Sequence, residues 1–178
     1  MSEVLDVNWF VVRVTYGREV RLKKALDADG VENFVAFVYK EIKKNGEIKR
    51  VLVPAIRNLI FIHTNRKELH TLKEKYEAVT PIRYIMDRET HAPVTIPNNQ
   101  MENFMNVAKN YKLDIIYLSD VDAKLRLGKI VEIINGDFAG VKGRVVRVKR
   151  HNRVMVEIDS VAAVTTSHIK PEELRVIE

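Results

Sequence analysis

Gly136, Gly140 and Gly143 fall close together between two short apolar runs, and no other feature restricts the fold of this chain so tightly. Val131 and Ile133 alternate before the glycines, and Val141 and Val145 alternate around and after the last of them. That is the pattern of a strand, a tight loop and a second strand. Glycine lacks Cβ and takes positive φ freely, so three of them permit a sharp reversal. The one aromatic in the loop, Phe138, is expected at an exposed tip, presenting its ring to a partner. The other reading is an ordinary hairpin with Phe138 in its core. Further short apolar runs at 144–148, 154–158 and 163–166 complete a set of short strands with tight turns, which predicts a small barrel. So small a unit buries only about 60% of its unfolded surface, and closing the sheet removes its exposed edges.

The first part of the chain reads differently. Trp9-Phe10-Val11-Val12 is continuously apolar and predicts a central strand buried on both faces. Residues 18–29 set Leu22, Ala25 and Leu26 on one helical face, with Gly30 as the stop. Residues 34–39 and 47–53 predict two strands joined at Asn45-Gly46, a strong hairpin signal, with a basic tip at Lys43-Lys44. Leu59-Ile60-Phe61-Ile62 predicts another buried strand, and residues 66–77 a helix with Leu69, Leu72 and Tyr76 on one face. A strand at 82–86, a turn at 87–91 and a helix entered through Pro97-Asn98-Asn99 follow. Met101, Phe104, Met105 and Ala108 form the apolar stripe of that helix, read as core filling. Residues 110–124 contain no Gly or Pro and form the expected linker, in which Ile115-Ile116-Tyr117-Leu118 is apolar enough to dock as a strand. The expected organisation is residues 1–109, a linker at 110–124 and residues 125–178.

Composition narrows the classes of function. A chain of 178 residues with 46% hydrophobic residues is that of a packed globular protein. No apolar run approaches the roughly 20 residues of a membrane span, and the start, Met1-Ser2-Glu3-Val4-Leu5-Asp6, lacks a secretory pattern. A cytoplasmic protein without membrane contact is expected. With no cysteine there is no disulfide and no thiolate metal site. The formal net charge of +6 favours polyanionic neighbours but also serves solubility. There is no Walker pattern, no Gly-x-Gly-x-x-Gly turn and no nucleophile elbow. His63, His70, His91, His151 and His168 are dispersed, and Asp120 and Asp122 read as linker solvation instead of an acid and base pair. A non-enzyme without cofactor or metal is expected.

The segment from Val131 to Val145 resembles the KOW motif of small SH3-like barrels. Together with the opening strand Trp9-Phe10-Val11-Val12, Tyr16-Gly17-Arg18-Glu19 and the run Pro54-Ala55-Ile56-Arg57-Asn58-Leu59-Ile60-Phe61-Ile62, it makes the chain similar to the NusG family of transcription elongation factors. The resemblance implies an α+β fold, with a NusG N-terminal-type antiparallel sheet and flanking helices followed by an all-β SH3-like KOW barrel. It also implies a monomer whose first domain grips the clamp helices of RNA polymerase through an apolar patch, for which Pro54, Ile56, Leu59, Phe61 and Tyr84 are the candidates. Burial in the domain core is the other reading for Leu59 and Phe61. The barrel's implied partners are a ribosomal protein or Rho, with Ile133, Ile134 and Phe138 as candidate contacts around the loop glycines Gly136, Gly140 and Gly143. Where the family usually has Phe, Pro and Tyr, this chain has Ile56, Arg57 and Leu59. That departure resembles specialised members that act on particular long operons, often for surface polysaccharides, and antagonise termination.

The basic run Lys142, Arg144, Arg147, Lys149, Arg150 and Arg153 has two readings. It is the solvated side of a strand, or Lys149, Arg150 and Arg153 contact a nucleic-acid backbone. The second class of function that follows is a KOW-type RNA-binding or ribosome-associated module.

Overall fold

The computed structural model describes residues 6–119 and 125–178. Asp120, Asp122 and the first five residues, on which some expectations rested, lie outside the described residues. In chain order the elements are β1 (Asn8–Val14), α1 (Glu19–Ala28), β2 (Asn33–Phe34), β3 (Phe37–Lys44), β4 (Glu47–Pro54), β5 (Leu59–Thr64) and α2 (Arg66–Tyr76). There follow β6 (Ile82–Tyr84), β7 (Thr95–Ile96), α3 (Asn98–Ala108), β8 (Ile116–Leu118), β9 (Ile130–Ile133), β10 (Lys142–Val148), β11 (His151–Ile158), β12 (Ala162–Thr165) and β13 (Leu174–Val176). Short 3-10 turns occupy Leu125–Leu127 and Pro171–Glu173. The chain divides into two compact units, one from the residues up to Ala36 with Ile56–Asn98, the other from Phe37–Ala55 with Asn99–Glu178.

The first unit is built on an antiparallel sheet of order β2-β5-β1-β6, with β7 also paired to β1. Register sets Phe10 opposite Ile62 and Val12 opposite Ile60 on one face, and Trp9 opposite His63 and Val11 opposite Phe61 on the other. Trp9 through Val12 are all buried, as a strand apolar on both faces requires. The helix α1 buries Leu22 and Leu26 and ends where Gly30 turns left-handed at φ 71°. In α2, Asn65 caps the first turn by accepting the Glu68 amide at 2.9 Å, and Leu69, Leu72 and Tyr76 are buried. Each such leucine contributes roughly 1.5–3 kcal/mol by leaving water. Tyr76 also donates its hydroxyl to Asp29. Burial, with the Asp29 carboxylate beside it, pushes the Tyr76 hydroxyl up to about 12.

In the second unit, β3 and β4 form a two-stranded ribbon from Phe37 opposite Pro54 to Lys44 opposite Glu47. It turns at Asn45 and Gly46, with φ 52° and 81°, where the Asn-Gly pair placed the hairpin. The other sheet has the order β13-β9-β10-β11-β12-β8 and is antiparallel throughout. The expectation of a closed barrel is corrected here. Among the described residues the sheet is an open path ending at β13 and β8, with β8 added beyond β12. The expected docking of the 115–118 segment as a strand is met, with Tyr117 opposite Val164. The helix α3 buries Met101, Phe104, Val107 and Ala108. The Phe104 ring lies 6.4 Å from that of Tyr117, and Asn103 Oδ1 accepts the Lys142 amide at 2.8 Å.

Gly136 and Gly140 take φ 85° and 87°, as the loop reading requires. Gly143 does not, which corrects the reading of all three as reversal glycines. A Cβ on Gly143 would overlap the Met155 carbonyl oxygen across the β10–β11 ladder, so this glycine answers to close backbone approach.

Candidate functional site

The loop that precedes α1 is locked to the residue that precedes β5. Tyr16, Gly17 and Asn58 all have left-handed backbone, with φ 59°, 63° and 61°. Asn58 Oδ1 accepts the Gly17 amide at 2.8 Å, the Asn58 amide donates to Glu19 Oε1 at 3.2 Å, and the Asn58 carbonyl accepts the Val14 amide at 3.0 Å. Glu19 is buried to 3% exposure by this arrangement. The Tyr16-Gly17-Arg18-Glu19 stretch is therefore a structural corner that fixes where β5 begins. Tyr16 alone of the four projects freely, 86% exposed, with the Arg18 guanidinium 5.4 Å from its ring centre.

Within the first unit the candidate polymerase residues do not converge. Leu59 and Phe61 share one face of β5 and are buried, Phe61 to 1% exposure beside the ring of Phe34. Their core reading is the one that matches these positions. Tyr84 sits opposite Val12, and the adjacent Val11 sits opposite Phe61, so Tyr84 points to the other face of the sheet. Tyr84 is half-buried, with the Lys73 ammonium 5.2 Å from its ring centre, and burial raises its hydroxyl above the ordinary range. Ile56, in the loop before β5, is half-buried. Pro54, half-buried, ends β4 in the second unit.

The KOW-type loop departs from the exposed-ring expectation. Phe138 is 3% exposed, because Gly140 donates to the Ile133 carbonyl at 2.7 Å and Val141 to the Phe138 carbonyl at 3.1 Å, folding the ring beneath the loop. Ile133 is fully buried too. Of the three candidate partner contacts only Ile134 reaches solvent, at 43% exposure. Phe138 and Ile133 act as core that shapes the loop.

Arg153 also moves from the surface to the interior. It lies opposite Val146 on β11 and is 2% exposed. One guanidinium nitrogen donates to the Asp114 carbonyl at 2.5 Å and the Thr166 carbonyl at 2.9 Å, and the other to the Asp114 carboxylate at 2.6 Å. It is a clamp for the segment leading into β8, with both terminal nitrogens committed and only Nε without a partner, and its charge is withdrawn from any phosphate. Lys149 and Arg150 remain exposed.

Sequence reasoning read only the tip of the β3–β4 ribbon as basic, whereas the exposed part runs from Lys40 through Arg50 and only the base is half-buried. Lys40, Lys43, Lys44, Lys49 and Arg50 stand among the exposed aliphatics Ile42, Ile48 and Leu52, with Ile48 at 72% exposure. Arg50 lies 4.4 Å over the ring of Tyr39, whose edge meets Tyr111 at 5.8 Å. The signal was present in the sequence. Neither strand offers a continuous apolar face, so neither could be an ordinary half-buried strand. Among the described residues no three His, Asp or Glu side chains gather as a metal set, and no helix is long and apolar enough to cross a membrane.

An antiparallel α+β unit and an all-β sheet with a glycine-cornered loop thus follow one another along the chain. The family model described as "Transcription termination factor nusG" matches residues 7–105, and the KOW motif model matches residues 127–159. The first match spans more than half of the chain, and the chain belongs to the NusG family of transcription elongation factors. Among solved structures, the one described as "Domain interaction in Thermotoga maritima NusG" is similar, at 16% identity and a TM-score of 0.46, over 97% of this chain and 98% of that one. No curated protein matches the chain.

Proposed function

We propose that this protein is a cytoplasmic elongation and antitermination regulator that binds RNA polymerase through its NusG-type region and recruits a second protein through its KOW-type sheet. The observation that carries the reading is the succession of a NusG model and a KOW model along one chain. The exposed cationic ribbon supports it, since a two-stranded ribbon is marginal by itself and gains from lying against a partner. On this reading the factor does no chemistry. It favours the elongating arrangement over the paused one by binding it more tightly, a shift of populations.

With Leu59 and Phe61 in the core, the candidates left outside it are tested one at a time, Ile56 first. The immobilised chain is expected to retain purified core RNA polymerase. Ile56→Glu should weaken retention about tenfold or more with an unchanged unfolding midpoint. Failure of the parent chain to retain polymerase overturns the reading, and unchanged retention by the variant removes Ile56 from the contact.

The residues Ile56, Arg57 and Leu59, in place of the family's usual Phe, Pro and Tyr, support a specialised factor for a few long operons, those for surface polysaccharides foremost. Deletion is expected to reduce promoter-distal transcripts of those operons while sparing most genes, as mapped by transcript ends. A genome-wide elongation defect would instead assign a housekeeping role. The KOW partner is a ribosomal protein or Rho, with Ile134 as the exposed contact.

A further inference from the structure

The β10–β11 hairpin closes with Val148 opposite His151, which leaves Lys149 and Arg150 as a two-residue turn. Both have left-handed backbone, with φ 49° and 67°. Such turns favour Asn-Gly or Asp-Gly and disfavour residues with long side chains. The chain supplies its own comparison, because the β3–β4 hairpin turns on Asn45 and Gly46 with the same pair of left-handed residues. One turn takes the residues its geometry prefers, and the other takes two cations that its geometry resists. Strain kept at an exposed position directs attention to the side chains it displays.

Those side chains are unspent. Lys149, Arg150 and the neighbouring Arg147 are exposed and make no ion pair among the described residues. Beside them the rings of His151 and His168 lie 5.3 Å apart, tilted by 59°, and both residues are exposed. The Ile169 amide bonds to the Asn152 carbonyl at 3.0 Å and holds the His168 loop against this end of β11. Free cations attract phosphodiesters, and an exposed pair of imidazoles offers a stacking surface for an unpaired base. A duplex presents the phosphates but hides the base faces.

We propose that the Lys149-Arg150 turn with the His151–His168 pair is a binding site for single-stranded nucleic acid. Lys149 and Arg150 hold phosphates and the imidazoles receive a base. The site is separate from the polymerase contact and does not rest on it. Arg153 takes no part, being committed to Asp114.

The decisive variant is Lys149→Asn with Arg150→Gly in the full chain, which installs the residues this turn prefers and so keeps or raises the unfolding midpoint. Fluorescence anisotropy with a short oligouridylate or oligothymidylate is expected to show salt-sensitive binding by the parent chain, tighter than to a duplex of equal length. The double variant should bind about tenfold more weakly or worse, with the salt slope reduced by about 1.4 for two lost phosphate contacts on a single strand. Its retention of polymerase should be unchanged. Equal binding by parent and variant, an unchanged slope, equal affinity for the duplex, or no binding by the parent would each overturn the proposal.

Discussion

Phe138→Ala is expected to destabilise the KOW-type sheet by about 3–5 kcal/mol, the range for deleting a buried phenylalanine. The ring is 3% exposed and lies under a loop whose backbone bonds run from Gly140 to Ile133 and from Val141 to Phe138. Removing it leaves a void that this loop can fill only by breaking those bonds. A loss of that size is a large share of the roughly 5–15 kcal/mol that holds a domain together. Ile134→Ala is the control, because Ile134 is 43% exposed and its truncation should cost well under about 1 kcal/mol. Urea unfolding followed by signals from residues 130–176 measures both. A ring presented to a partner would give the opposite order, with Phe138→Ala near neutral in stability and impaired only in binding. Such a result would return Phe138 to the surface.

Sequence and structure agree wherever one residue's neighbours along the chain decide its environment. Trp9 through Val12 and Leu59 through Ile62 read as doubly buried strands because both parities are apolar, and both parities are buried. Asn45-Gly46 placed a turn to the residue, and Leu69, Leu72 and Tyr76 marked the buried face of α2 by spacing alone. Agreement fails where a distant residue decides. Which strand takes the edge of β12 is not set by the neighbours of β12, since β8 arrives there from far along the chain. Phe138 looked like an exposed tip because a glycine stands two residues to either side of it, yet those glycines give the backbone the freedom to fold over the ring. Tyr84 and Phe61 looked like members of one patch until the register put them opposite Val12 and Val11, adjacent residues of β1 that face opposite ways. The two-residue strand β7 offers no periodicity to read.

Arg153 is the sharpest case of a side chain whose role a distant partner sets, and Arg153→Ala is expected to cost about 3 kcal/mol. In the sequence it ends a basic run and looks solvated. In the fold it follows the parity of β11 onto the face it shares with its cross-strand partner Val146, where it is 2% exposed. A cation there is tolerable only because its two terminal nitrogens reach the carbonyls of Asp114 and Thr166 and the Asp114 carboxylate. Alanine would leave the two carbonyls without a donor and open a void. Asp114→Asn keeps an acceptor oxygen but strips the buried guanidinium of its counter-charge, so it should also destabilise, by about 1–3 kcal/mol. Arg153→Lys should rescue little, because one ammonium cannot reproduce the forked contact. Asp114 lies just before β8, so its release is expected to loosen that strand first. Amide exchange across Ile116–Leu118 should therefore accelerate in Arg153→Ala under conditions where β10 and β11 stay protected. If the exchange of β8 and the unfolding midpoint both match the parent, the guanidinium is not what holds β8 to the edge of β12.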